Sequence, residues 1–190
     1  MIVVGYLCGS LPTGVWLGRL AGVDVRASGS GNVGATNVAR TVGLGWGLLT
    51  LALDAGKGAI PVLATHRLGG GETLSVVVGL AAFYGHIFPV FSAFRGGKGI
   101  ATAAGVFAAA APAALAIALI AFVLVVALTR IVSLASLAAA VTLPVAAGVT
   151  GQPSPVLCSS IIIAVTVVLT HRENLRRILS GGEARFAAKR

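Results

Sequence analysis

The stretch GIATAAGVFAAAAPAALAIALIAFVLVVAL, residues 99–128, runs thirty positions without a charge and carries one proline, Pro112, near its middle. A helix needs about twenty apolar residues to cross a hydrocarbon core of roughly 30 Å. The stretch is therefore one long tilted helix or two helices divided at Pro112, the first of them short. Similar apolar runs recur along the chain and predict helices near 2–22, 43–65, 73–92, 100–111, 113–129, 131–150 and 155–171. Composition agrees, since 57% of the 190 residues are hydrophobic and only 10% charged. A soluble domain carries about a quarter charged residues, so lipid is the expected solvent.

Charge decides how residues 99–128 are read. With two helices there, seven spans result. Arg19, Arg26, Arg40, Arg95, Lys98, Arg130, Arg172, Arg176, Arg177, Arg185, Lys189 and Arg190 then share one membrane face, against Arg67 at the other and Lys57 inside a span. With one helix, Arg130 and the basic tail fall on opposite faces. The positive-inside rule selects the first arrangement. The expectation is an all-α, polytopic integral membrane protein with seven transmembrane helices, N-terminus outside and C-terminus cytoplasmic. It forms one transmembrane domain over 1–190, with 172–190 as a basic cytoplasmic tail. The first run lacks a basic n-region before it, which predicts a retained helix rather than a cleaved signal.

Polar residues gather on the same face. GSGNVGATNVAR, residues 29–40, has the spacing Gly29, Gly31, Gly34 of a dinucleotide fingerprint, with Asp54 downstream. That fingerprint requires a strand leading into a helix, whereas these glycines join two apolar helices. A phosphate loop is also excluded, because neither Lys57 nor Lys98 has a glycine six residues before it or a hydroxyl residue after it. What survives is the inventory. Glycines such as Gly31 admit close backbone approach, Ser30, Asn32, Thr36 and Asn37 offer hydrogen bonds, and Arg40 can grip an oxyanion with two parallel bonds.

RGGKG, residues 95–99, sets Gly96 and Gly97 beside Lys98, a combination suited to phosphate; the alternative is a flexible loop whose cations follow orientation alone. Lys57 in LDAGKGA stands at membrane depth, where it lines a polar interior or is neutralised by Asp54 three residues earlier. Arg130, Ser133 and Ser136 recur at helical spacing. His171, followed by Asn174, could act as a general base at the membrane boundary. Cys8 and Cys158 read as small buried apolar residues, and the dispersed His66, His86 and His171 suggest no metal site. Donors and cations outnumber acids throughout, which describes a cytoplasmic cleft for an anionic, phosphorylated ligand, open sideways to an acyl chain.

In order along the chain, GSGNVGATNVAR, GHIFPVFSAFRGGKGIAT and HRENLRRILSGGE, with GSLPTG and DAGKG, resemble the motifs of the bacterial membrane acyl-phosphate:glycerol-3-phosphate acyltransferases. Arg95 stands where that pattern commonly has lysine. The resemblance implies transfer of a fatty acyl group from acyl phosphate to the sn-1 hydroxyl of glycerol 3-phosphate, giving lysophosphatidic acid and phosphate, early in phospholipid synthesis. It ties Ser30, Arg40, His171 and Asn174 to activity, the glycines of RGGKG and Lys98 to glycerol phosphate, and Glu183 to structural integrity. Gly31, Asn32, Thr36, Asn37, Lys57, His86, Gly96, Gly97, Ser133 and Ser136 complete the expected substrate-binding set. The partners implied are the two substrates and the lipid bilayer, with no cofactor, metal, nucleic acid or obligate protein partner.

Acyl phosphate is a mixed anhydride with a good leaving group, so direct attack without an acyl-enzyme is expected. The H-x-x-x-x-D acyltransferase dyad is absent, since the positions five after each histidine are Gly71, Phe91 and Arg176. The alternative reading is a transporter or channel for a phosphorylated solute, whose polar residues would thread both membrane halves rather than gather at one face.

Overall fold

The computed structural model describes residues 1–186, among which all regular structure is helical. Lys189 and Arg190, counted among the cytoplasmic cations, lie outside the described residues. The described residues form two compact units, 1–109 and 110–186.

In the first unit, the run expected as a single helix over 2–22 is two helices, α1 (Ile2–Gly9) and α2 (Thr13–Leu20). Pro12 is the cause, because its ring cannot follow a helical turn and it has no N–H to donate. Helix α3 (Ala35–Thr41) forms within the stretch expected as a connector, and α4 (Leu44–Arg67) follows, with Arg67 in its last turn. The next run divides into α5 (Gly71–Ile87) and a 3-10 turn (Val90–Ser92), since Pro89 ends the helix. Helix α6 (Ile100–Ala110) closes the unit.

Glycine governs the packing here. A Cβ on Gly9 would overlap the carbonyl of Ala82, and one on Gly85 the carbonyl of Tyr6, so α1 and α5 meet backbone to backbone. Gly58 and Gly105 do the same between α4 and α6, against the carbonyls of Thr102 and Ala55. In lipid there is no hydrophobic drive between helices, and close approach of small residues takes its place.

The second unit holds α7 (Pro112–Thr129), α8 (Val132–Val149), α9 (Ser154–Thr170) and α10 (Arg172–Leu179). Residues 99–128 are thus two helices, with Pro112 at the first position of α7, where its missing N–H breaks no bond. Arg130 takes the left-handed conformation, φ 59°, and ends α7. It therefore lies before α8, and only Ser133 and Ser136 share that helix's face, contrary to the expectation that included Arg130. Residues 172–179, expected as tail, form α10, bent by 59° from α9.

Helices α4, α7 and α8, and α5 with its 3-10 turn, are each long and apolar enough to cross a membrane; the bent pair α9 and α10 would make a fifth. At 11 residues α6 spans only about 16 Å. Leu119, Ile120, Val123, Leu124 and Leu128 of α7 are exposed, which suits lipid and not water. Cys158 is exposed on α9 rather than buried, and Cys8 is half-buried, because an apolar solvent leaves a small thiol no reason to hide.

Candidate active site

The glycine loop of the first unit is organised by its asparagines. Asn37 is buried at the start of α3, and its Nδ2 donates to the carbonyls of Val25 (2.9 Å), Ser28 (3.1 Å) and Asn32 (2.8 Å). Its Oδ1 accepts from the backbone N–H of Ser30 at 2.9 Å. Gly29 has φ +60°, and a side chain there would strike the Asn37 amide. Asn32 Oδ1 accepts from the Gly34 N–H at 2.8 Å. The whole Asn37 amide thus holds the loop's own backbone, whereas Asn32 spends only Oδ1 on it, which leaves Ser30, the Nδ2 of Asn32, Thr36 and Arg40 as its outward chemistry. Ser30 is exposed and Arg40 half-buried. Neither side chain hydrogen-bonds among the described residues.

Below this loop the first unit buries a polar group of unusual density for an apolar bundle. Asp54 on α4 pairs with Lys57 one turn on, at 2.8 Å, and accepts a hydrogen bond from the Thr13 hydroxyl at the start of α2. Lys57 Nζ also donates to the Leu11 carbonyl at 3.0 Å, an acceptor the break between α1 and α2 has released. His86 presents Nδ1 to Asp54 at 3.7 Å, within ion-pair range but beyond hydrogen-bond length. Exposure is 1% for Asp54 and 6% for Lys57 and His86. Charges this deep persist because they are paired. All three line a cleft that Thr13, Ser92, Arg95 and Gly96 also border.

RGGKG is seated on His86. The Gly97 N–H donates to the His86 carbonyl at 3.1 Å. A Cβ on Gly96 would strike the carbonyls of His86 and Ile87, and one on Gly97 the His86 ring at Nε2. These two glycines are thus required by the fit to α5. Lys98 beside them is half-buried.

The second unit carries another polar cluster, around Glu183. Its carboxylate accepts from Ser133 Oγ (2.7 Å) on α8, from Asn174 Nδ2 (2.5 Å) on α10 and from Arg177 Nε (2.7 Å). Burial alone would push this carboxyl up, but the bonds from Ser133, Asn174 and Arg177, with the Arg177 charge, outweigh it and hold the pKa below the ordinary carboxylate value. Ser136 turns inward to the Val132 carbonyl at 2.9 Å. His171, 2% exposed at the α9–α10 bend, sets Nδ1 2.9 Å from the Val167 carbonyl. A carbonyl only accepts, so Nδ1 carries the proton and Nε2 is the basic nitrogen of the neutral ring.

Residues 1–181 match the family model described as glycerol-3-phosphate acyltransferase. The glycerol-3-phosphate acyltransferase of Trichlorobacter lovleyi is 48% identical over 187 residues, covering 98% of this chain and 96% of that protein. The chain belongs to the glycerol-3-phosphate acyltransferase family.

Two crystal structures of PlsY (YgiH), an integral membrane glycerol 3-phosphate acyltransferase, resemble this member of the family at 41% identity, each covering 98% of the chain. The glycerol 3-phosphate form has a TM-score of 0.93 and covers 94% of that chain; the lysophosphatidic acid form has 0.91 and covers 93%. Three residues of the polar clusters are not marked by the sequence as site candidates: Thr13, Asp54 and Arg177. GSLPTG held the available signal for Thr13, a hydroxyl and a proline interrupting a span. Arg177 gave none, lying among other arginines.

Proposed function

We propose that the chain is an acyl-phosphate-dependent glycerol-3-phosphate 1-O-acyltransferase, acting early in phospholipid biosynthesis in the bacterial cytoplasmic membrane. The observation that carries the reading is likeness, over nearly the whole chain, to a membrane acyltransferase solved with glycerol 3-phosphate and with lysophosphatidic acid, an acyl acceptor and its acylated product. Family membership and the motif resemblance support the same reaction.

In this reading the sn-1 hydroxyl oxygen of glycerol 3-phosphate attacks the acyl carbonyl carbon. An ester C–O bond forms as the C–O bond to phosphate breaks, and the bonding pair leaves with the phosphate. The hydroxyl proton passes to His171 Nε2 or to a phosphate oxygen of the substrate. Arg40 and Lys98 neutralise phosphate charge, Ser30 and Thr36 donate hydrogen bonds, Ser133 and Asn174 serve with them, and glycine N–H groups stabilise developing negative charge. With so good a leaving group, orientation and charge stabilisation suffice and no acyl-serine is needed.

We propose seven spans, the broken α1–α2 pair, α4, α5, α6, α7, α8 and α9, with the N-terminus outside and the polar clusters cytoplasmic. The one-sided distribution of Lys and Arg supports this orientation. The decisive assay gives detergent-purified protein acyl phosphate and glycerol 3-phosphate and follows phosphate release, with Arg40→Ala as control. Release dependent on both substrates is expected. Release no greater than the control would overturn the reading and favour a transporter of phosphorylated solutes. Radioactive acyl phosphate should leave no label on the protein.

A further inference from the structure

Asp54 holds more of the first unit together than charge neutralisation of Lys57 requires. It accepts from Thr13, 41 residues away, pairs with Lys57, and faces His86 on a third helix. His86 in turn supports RGGKG by its backbone carbonyl and by the Nε2 edge of its ring. Its Nδ1 is buried with no hydrogen-bond partner, and the carboxylate of Asp54 at 3.7 Å is the charge that orients it. A ring nitrogen facing a carboxylate is the protonated one, which leaves Nε2, the nitrogen toward Gly97, without a proton. A proton on Nε2 would instead push a hydrogen into the Gly97 backbone, where space is already too tight for a Cβ.

We propose that Asp54 is a positioning residue for the RGGKG loop, acting through His86, whose Nδ1–H tautomer and ring orientation it sets, while Thr13 holds the carboxylate in place. The inference rests on the reading of RGGKG as the glycerol 3-phosphate loop. The effect of Asp54 is on the seating of Gly96, Gly97 and Lys98.

The experiment measures steady-state kinetics of purified full-length protein with acyl phosphate and glycerol 3-phosphate, for wild type, Asp54→Asn and Thr13→Val. Asp54→Asn should raise KM for glycerol 3-phosphate at least about tenfold, leaving KM for acyl phosphate within about threefold, a split that general destabilisation does not produce. Thr13→Val, which removes one hydrogen bond and unpairs no charge, should move the same KM by about threefold and carries the test if Asp54→Asn does not fold. Nitrogen-15 spectra of labelled histidine, with the His86 signals assigned by their loss in His86→Gln, should show the Nδ1–H tautomer in wild type and its loss in Asp54→Asn. Unchanged KM for glycerol 3-phosphate in both variants, or an Nε2–H tautomer in wild type, overturns the proposal. Failure of the underlying reading is distinct, because wild type itself would then release no phosphate with glycerol 3-phosphate.

Discussion

Arg40 is half-buried on α3, with no hydrogen bond from its guanidinium among the described residues, beside a loop whose Asn37 amide is occupied with backbone. Arg40→Lys keeps the charge and loses the planar fork, so kcat/KM should fall at least about tenfold, ~1.4 kcal/mol of transition-state stabilisation. Near-normal turnover would show that bidentate contact is not used. Glu183 makes the opposite kind of prediction, for stability. Its pKa is depressed in the folded chain, so its contribution is complete above the ordinary carboxylate value of 4.5 and is lost as pH falls below it. Glu183→Gln should lower Tm near neutrality by an amount equivalent to about 1 kcal/mol, and should flatten the acid-side fall of Tm seen in wild type. Parallel Tm curves for the two proteins down to pH 3 would refute the assignment. The residue types of both clusters were legible in the sequence, yet their division of labour was not. Asn37 reads as a ligand donor until its amide is seen bonded to three loop carbonyls.

Among elements, the glycines of α1 and α5 are the sensitive ones. Gly9→Val would drive a branched side chain into the Ala82 backbone, which cannot yield as a side chain would. A loss of roughly 2–3 kcal/mol is expected, read as a lower Tm or loss of the monodisperse peak in detergent. Gly45→Ala on α4 is the matched control, because nothing lies within 4 Å of its Cβ position, and it should be neutral or stabilising. Equal effects at the two sites would mean that α1 and α5 do not pack backbone to backbone. Most helix limits could be read from apolar runs, and Pro112 as a divider could be read with them. The break at Pro12 is hidden from an apolar-run count because long apolar runs continue on both sides of GSLPTG, and α3 because seven residues rich in polar side chains show no amphipathic period.

For the whole molecule, the prediction is topological. A green fluorescent protein fused after Arg190 should fluoresce in bacterial cells, while alkaline phosphatase inserted in the loop after Arg67 should be active, reporting an outside location. Inversion of both signals would overturn the orientation proposed from the charge partition. That the chain lives in lipid, is helical, and groups its cations and hydroxyls in a few short motifs follows from composition and charge asymmetry, which are one-dimensional properties. Which polar side chains are held within the fold is visible only in three dimensions. Lys57 meets the Leu11 carbonyl 46 residues away and Asp54 meets Thr13 41 residues away. Such pairings exist only once glycine-lined helices have closed to backbone contact, since a buried polar group in lipid takes whatever partner packing brings within reach.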